Sequence, residues 1–305
     1  MPLTLFSHAR CALHNPDPEH PEQPARLHAI NDQLVRSGLE YVIKQVDARP
    51  AEVSDLYRAH SKLYIDELYA KAPSEGQIWL DPDTTMTPKS LPAALLAAGS
   101  GIQAVDEVMQ ADNQQAFCAI RPPGHHATAD QAMGFCLLNN IAIAACYALD
   151  KYQLQRVAIV DFDVHHGNGT EAIFRHDDRV LFCSSYQQAL YPNSGDDSST
   201  DHILNLPLPA GCKGEQWRAA VQQRWFAALD AFAPELIFIS AGFDGHAEDE
   251  MSQFLLKEDD YAWLSGELKQ LANRHCHGRI VSMLEGGYDL SSLGRSVVAH
   301  LKAML

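Results

Sequence analysis

The 305-residue chain has no Cys-x-x-Cys pair, no apolar run near the roughly 18 to 20 residues of a membrane span, and little positive charge. Each absence excludes something. The seven cysteines (Cys11, Cys118, Cys136, Cys146, Cys183, Cys212 and Cys276) are odd in number and scattered, so they read as reduced thiols rather than a disulfide framework. Cys118, Cys136, Cys146 and Cys183 lie among apolar residues and read as core filler. Only 23 Lys and Arg stand against 39 Asp and Glu, a net charge of −16, which denies the chain the basic face that direct nucleic-acid binding needs. An acidic surface favours cationic ligands instead, such as lysine-bearing peptides or polyamines. The opening MPLTLFSHARC lacks a basic n-region and has only a very short apolar run, so no secretory signal is expected and the predicted compartment is the cytoplasm. Repeats, low-complexity tracts and long linkers are also missing, so residues 1–305 are expected to form one domain.

What is present is an ordinary globular composition, 46% hydrophobic and 20% charged, on a chain long enough to bury a large core. Apolar runs predict strands at Leu3 to Phe6, Tyr41 to Val46, Ala116 to Ile120, Val157 to Val160, Val180 to Cys183, Leu236 to Ile239 and Arg279 to Leu284. Helical spacing is seen from Leu27 to a stop at Gly38, over Asp55 to Tyr69 and from Ser90 through Val108. It recurs over Asn139 to Tyr152, Glu215 to Phe232, Lys257 to Arg274 and Leu290 to Met304. His14 to Pro24 and Trp79 to Pro88 read as loops. The alternation predicts an α/β fold, a mostly parallel sheet with helices on both faces.

Four of these strands run into residues that an inert loop does not need: RPPGHHA (121–127), DFDVHHGNGT (161–170), AGFDGH (241–246) and EGGYDL (285–290). If the strands are parallel, all four decorated ends share one edge, where α/β sheets place their chemistry. Asp161, Asp163 and His165 are two apart and share a face of an extended backbone. Asp163, His165 and Asp244 offer three metal ligands and leave positions for water and substrate, as a catalytic zinc site requires. So oxygen-rich a set also accepts iron(II), cobalt or manganese. His125 and His126 are candidates for proton transfer, with Asp161 able to hold one imidazole in its tautomer. Tyr288, on Gly286-Gly287, could bring a phenol to a developing oxyanion. Gly134, Phe135 and Tyr191 could wall an apolar tunnel. A plain acidic turn, a helix cap or a Tyr packed at a sheet edge explains any one stretch, but not four together.

In order, HPEQPARL (20–27), RPPGHHA, GFCLLNN (134–140), DFDVHHGNGT, YPNSG (191–195), SAGFDGH (240–246) and LEGGYDL (284–290) closely resemble the histone deacetylase family, including its bacterial amidohydrolases and acetylpolyamine amidohydrolases. The resemblance implies a single-domain arginase/deacetylase fold. It also implies a zinc hydrolase that removes an acyl group, acetyl foremost, from lysine side chains of proteins or peptides. Small acylated amines such as acetylpolyamines are the alternative substrate. By this resemblance Asp163, His165 and Asp244 hold zinc (or iron(II) or cobalt), and His126 is the general base and acid beside His125. Asp161 backs His125, Asn168 stands where the class II branch has Asn, and Tyr288 polarises the carbonyl. Gly134, Phe135 and Tyr191 match the tunnel lining, and Asp83 matches a rim carboxylate that binds substrate backbone amides. Met251 falls where polyamine-selective relatives carry a rim Glu, and Arg26 matches an arginine near the acetate exit. A structural potassium ion would use Asp161, the backbone at Asp163 and His165, and residues like Ser184 and Ser185. The implied partner is an acyl-lysine peptide or an acylated amine, with neither nucleic acid nor membrane involved. The loops at 14–24 and 79–88 could narrow the tunnel mouth or meet a second copy of the chain, which leaves a homo-oligomer open.

Overall fold

The structure, a computed structural model, describes residues 3–14, 17, 19–111 and 114–305. In chain order its strands are β1 (Leu3–Ser7), β2 (Lys44–Asp47), β3 (Ile78–Asp81), β4 (Thr84–Met86), β5 (Gln115–Cys118), β6 (Val157–Asp161), β7 (Val180–Gln187), β8 (Ile203–Leu208), β9 (Leu236–Ala241) and β10 (Ile280–Leu284). Eight form one sheet in the order β2-β1-β5-β10-β9-β6-β7-β8, and every neighbouring pair is parallel. Parallel sheets are covered on both faces by their crossover helices, so central strands are apolar throughout rather than alternating. Every residue of β6, β9 and β10 is buried accordingly. Helix Leu290–Met304 packs on both Ala25–Ser37 and Glu258–His275, and Ser90–Met109 packs on Asn140–Tyr152. No described helix is long and apolar enough to cross a membrane.

Register is what makes a site possible. Cys118 pairs with Met283, Met283 with Ser240, and Ser240 with Asp161. The loops after β5, β10, β9 and β6 therefore leave four adjacent strands at one height. These are the four decorated ends read from the sequence.

Several local expectations are corrected. The strand expected over Tyr41 to Val46 starts at Lys44, because Leu39–Tyr41 coil into a short 3₁₀ turn. The helix expected over Asp55 to Tyr69 is two, Val53–Leu56 and Lys62–Lys71. The break falls where Ser61 caps the second helix by accepting Tyr64 N–H, and its own N–H goes to the Ala129 carbonyl. The loop at Trp79 to Pro88 holds the β3–β4 antiparallel hairpin. Strand β8 is an addition: Pro207 argues against a strand, but an edge position tolerates it. Asn168–Phe174, hidden inside the histidine motif, forms a short helix. Asn15, Pro16 and Pro18 of the loop expected over 14–24 lie outside the described residues.

A buried histidine ties this core together. His300 Nδ1 lies 2.6 Å from Ser265 Oγ and its Nε2 2.9 Å from Ser282 Oγ, joining two helices to β10. Burial pushes this imidazole down to about 3. The unfolded chain takes up the same proton near pH 6.5, so stability from this group is whole above about 6.5 and is lost as pH falls toward 3. Urea unfolding at pH 7 and pH 4.5 should show His300→Asn destabilised at neutral pH, with its gap from wild type narrowing at the lower pH. A gap of constant size would mean that another group titrates.

Candidate active site

The edge defined by those four strand ends gathers four buried carboxylates and three buried imidazoles. Asp163 and His165 follow β6, Asp244 follows β9, and one ligand atom from each comes within 4.8 Å of the others. His165 Nδ1 is 3.0 Å from Asp163 Oδ1 and 3.1 Å from Asp244 Oδ2. The remaining oxygens are held by main chain: Gly286 N–H donates to Asp163 Oδ2 (2.8 Å) and Val164 N–H to Asp244 Oδ1 (3.1 Å). Gly286 has to be glycine, since a Cβ there would sit 2.1 Å from Asp244 Oδ2.

This donor set fits a divalent cation. Two buried carboxylates facing one nitrogen demand positive charge. Burial would lower the His165 imidazole, but the two carboxylates push it up to about 10. One nitrogen and two carboxylates, fixed by outer hydrogen bonds, suit zinc and also iron(II) or cobalt.

The tandem histidines leave β5 on a loop anchored from β10, where Glu285 Oε2 accepts the N–H groups of Gly124 (2.6 Å) and His125 (3.1 Å). Their environments then diverge. His125 Nδ1 faces Asp161 Oδ2 at 2.9 Å, and His126 Nδ1 faces Asn168 Oδ1 at 2.8 Å. Burial opposes charge on both. Asp161 and Asp163 nevertheless lift His125 to about 10, while burial and the neighbouring His125 and His165 hold His126 well below its usual value. His126 is thus the neutral imidazole. With Nδ1–H donated to Asn168, its Nε2 is left as an acceptor.

A pocket of about 190 Å³ lies above, lined by Asp83, His126, Gly134, Phe135, His165, Tyr191, Met251 and Tyr288. All five residues expected to contact substrate are among these eight. Gly134 has φ +57°, and a Cβ there would meet the His126 ring at 2.4 Å, so the turn needs glycine on both counts. Phe135 adopts φ +66°, a left-handed conformation rare for an aromatic residue. Its N–H and that of Gly134 are taken by Thr84 Oγ1 (3.0 Å) and Asp83 Oδ1 (2.9 Å) on the β3–β4 hairpin. Asp83 therefore holds a pocket wall in addition to standing at the rim. Tyr191 packs edge-on to His126 at 5.1 Å. Burial and the Asp244 charge push the Tyr288 phenol well above its usual range, so it keeps its proton for donation.

Beneath Tyr288 lies an ionic cluster. Arg26 sits 5.0 Å from the ring centroid and donates to the carbonyls of Gly287 (2.6 Å) and Glu285 (2.5 Å). Glu22 binds Arg26 (3.0 Å) and Arg121 (2.5 and 2.6 Å), all fully buried. Burial would raise the Glu22 carboxyl, but the two guanidinium groups hold it at about 2. Sequence reasoning named Arg26 and missed Glu22, Arg121 and Glu285, although all three stood inside quoted motifs. The available signal was charge flanked by Pro, Gly or apolar strand residues. His166, left without a ligand role, lies between Glu171 (2.8 Å) and Ser194 (2.9 Å), facing away from the triad.

Three side chains able to hold a metal ion, beside one neutral and one charged histidine at the edge of a parallel α/β sheet, are equipment suited to hydrolysis. The chain belongs to the histone deacetylase family, whose Histone deacetylase domain model matches residues 20–304. It is 37% identical to "Histone deacetylase 10, chloroplastic" of Oryza sativa subsp. japonica, over 94% of this chain and 70% of that one. It is 36% identical to "Histone deacetylase-like amidohydrolase" of Pseudomonas aeruginosa, over 88% of this chain and 73% of that one. The solved HDA15 HD domain superposes with a TM-score of 0.91 at 30% identity, covering 99% of this chain and 87% of that one. The fold and family expected from the sequence are those found.

Removing one carboxylate from the triad leaves two ligands, too few for a stable site. Elemental analysis of purified wild-type protein should find one transition metal per chain, and Asp163→Ala should carry almost none. Full occupancy in Asp163→Ala would place the metal elsewhere.

Proposed function

We propose that the chain is a zinc-dependent deacylase that removes acetyl, before longer acyl groups, from the side-chain amine of lysine in proteins or peptides. The observation that carries this reading is the meeting of a neutral His126, His165 of the Asp163–His165–Asp244 triad and the protonated Tyr288 in the lining of one narrow pocket. Zinc held by the triad supplies Lewis acidity toward the amide carbonyl and the attacking water. His126 takes the proton from that water through Nε2 as oxygen adds to the carbonyl carbon. The Tyr288 phenol donates to the carbonyl oxygen as it gains charge. His126 then returns the proton to the departing nitrogen as the C–N bond breaks, giving an amine and a carboxylic acid, which leave as the ammonium and the carboxylate. His125, kept charged by Asp161, stabilises the anionic centre throughout, and Asn168 keeps His126 in its tautomer. Gly134, Phe135, Tyr191 and Met251 enclose the alkyl chain of the substrate, and Asp83 meets its backbone amides.

Ser184 Oγ is buried without a hydrogen-bond partner beside Asp161, its register neighbour on β6. An orphaned hydroxyl there suits the proposed potassium site, whereas Ser185 Oγ is already taken by Trp217 Nε1–H (3.0 Å). Seven free cysteines are compatible with a reducing compartment such as the cytoplasm, and residues 1–305 are read as one domain because the strands of one eight-stranded sheet lead into the triad, the tandem histidines and Tyr288.

Small acylated amines remain the second reading. Glu248, Glu250 and Asp289 line a groove that shares Met251 and Tyr288 with the pocket, and carboxylates there would attract any cationic substrate. Zinc-loaded protein assayed on acetyl-lysine peptide, acetylputrescine and acetylspermidine, with a hydroxamate control, separates the two. We expect the peptide to have the highest kcat/KM; a polyamine ahead of it would transfer the assignment. Tyr288→Phe should lower kcat by about 10- to 1,000-fold with metal content unchanged, and a full rate would remove the phenol from the mechanism.

A further inference from the structure

Tyr288 follows two glycines, and Gly287 has φ +118°, so its own segment does little to fix the phenol. The segment is instead tied to its surroundings almost atom by atom. Glu285 N–H goes to the Ala241 carbonyl, Gly286 N–H to Asp163, and the Gly286 carbonyl accepts from Phe243 N–H. The carbonyls of Glu285 and Gly287 are held by Arg26. The next two N–H groups, those of Tyr288 and Asp289, both converge on one oxygen. That oxygen is Asp249 Oδ2, at 2.6 and 3.0 Å.

We propose that Asp249 is the positioning residue for Tyr288, a carboxylate whose work is to hold the phenol over the pocket floor. Asp249 is 5% exposed, and its other oxygen, Oδ1, accepts the N–H of Met251 (3.0 Å). One carboxylate thus joins the rim loop that carries Met251 to the loop that carries Tyr288, across 39 residues of sequence. Bonds from N–H to an ionised carboxylate are about twice as strong as neutral ones, which suits an anchor for a Gly-Gly segment. On the far side, Asp289 Oδ1 accepts Ser292 N–H (2.7 Å) and starts helix Leu290–Met304, so Tyr288 lies between the Asp249 anchor and a helix cap. Remove the anchor, and two N–H groups must find water while the phenol swings on two glycines. Displacement of a catalytic group by about 1 Å can cost on the order of 100-fold in rate.

The proposal rests on the Tyr288 role given above, and a double-mutant cycle keeps the two apart. The full-length, metal-loaded protein is assayed on acetyl-lysine peptide as wild type, Asp249→Ala, Asp249→Asn, Tyr288→Phe and the double variant Asp249→Ala/Tyr288→Phe. We expect Asp249→Ala to lose about 10- to 100-fold in kcat with KM within about twofold, and to retain its metal. Asp249→Asn keeps one acceptor oxygen and should fall between it and wild type. In the Tyr288→Phe background, Asp249→Ala should change kcat by less than about twofold, because the group it positions is gone. Losses that multiply in the double variant overturn the proposal, as does loss of metal from Asp249→Ala, since Asp249 would then act on the fold or the triad. A full rate in Tyr288→Phe alone overturns the Tyr288 role first and this proposal with it. If Asp249→Ala does not fold, the same cycle is run with Asp249→Asn, and the same non-additivity decides.

Discussion

Four carboxylates are buried at one sheet edge, and the site's structure depends on satisfying them. Asp161, Asp163, Asp244 and Glu285 are each at most 1% exposed. A carboxylate withdrawn from water costs several kcal/mol unless it is paired and hydrogen-bonded. The protein meets that cost with main-chain N–H groups, some from the acid's own loop and some from the loops of neighbouring strands. Asp161 takes Asp163 N–H, Asp163 takes those of His165 and Gly286, Asp244 takes Val164 N–H, and Glu285 takes those of Gly124 and His125. Each acid thereby fixes the backbone of a loop that carries another functional group. The metal triad, the histidine loop and the Gly-Gly-Tyr turn are mutually dependent for this reason.

The same electrostatics divide the histidines. His125 and His126 are neighbours in sequence with the same side chain, yet a carboxylate meets one Nδ1 and a neutral amide oxygen the other. Charge collects on His125, and repulsion from it helps keep His126 neutral. In the proposed mechanism base and electrostatic support therefore come from one dipeptide, because Asp161 and Asn168 differ by one negative charge. Lower in the structure, Glu22, Arg26 and Arg121 form a second charged layer that holds the carbonyls under Tyr288.

Much of this was legible in the sequence because parallel strands advertise themselves. Val157 to Val160 and Leu236 to Ile239 are continuous apolar runs, and polar residues directly after them have only the sheet edge to occupy. The errors fall where local pattern and tertiary context disagree. Trp79 to Pro88 is polar and proline-bearing, yet it pairs as a hairpin whose Asp83 and Thr84 hold the Gly134–Phe135 turn. Pro207 disguised β8, which survives as an edge strand. Asp55 to Tyr69 has continuous helical spacing, but the Ser61 cap and the bond to Ala129 divide it.

The sequence by itself determined the fold class, since apolar runs and their polar followers are local properties of the chain, and its ordered motifs carried the resemblance that pointed to the family and to the groups at the pocket. Only the tertiary structure decided what each group does electrically. Whether His125 or His126 carries charge, whether Glu22 is an ion, and where Asp249 sends its Oδ2 depend on partners distant in the sequence. Burial amplifies those partners' influence because little water remains to screen them, and proximity of that kind exists only once the strands are in register.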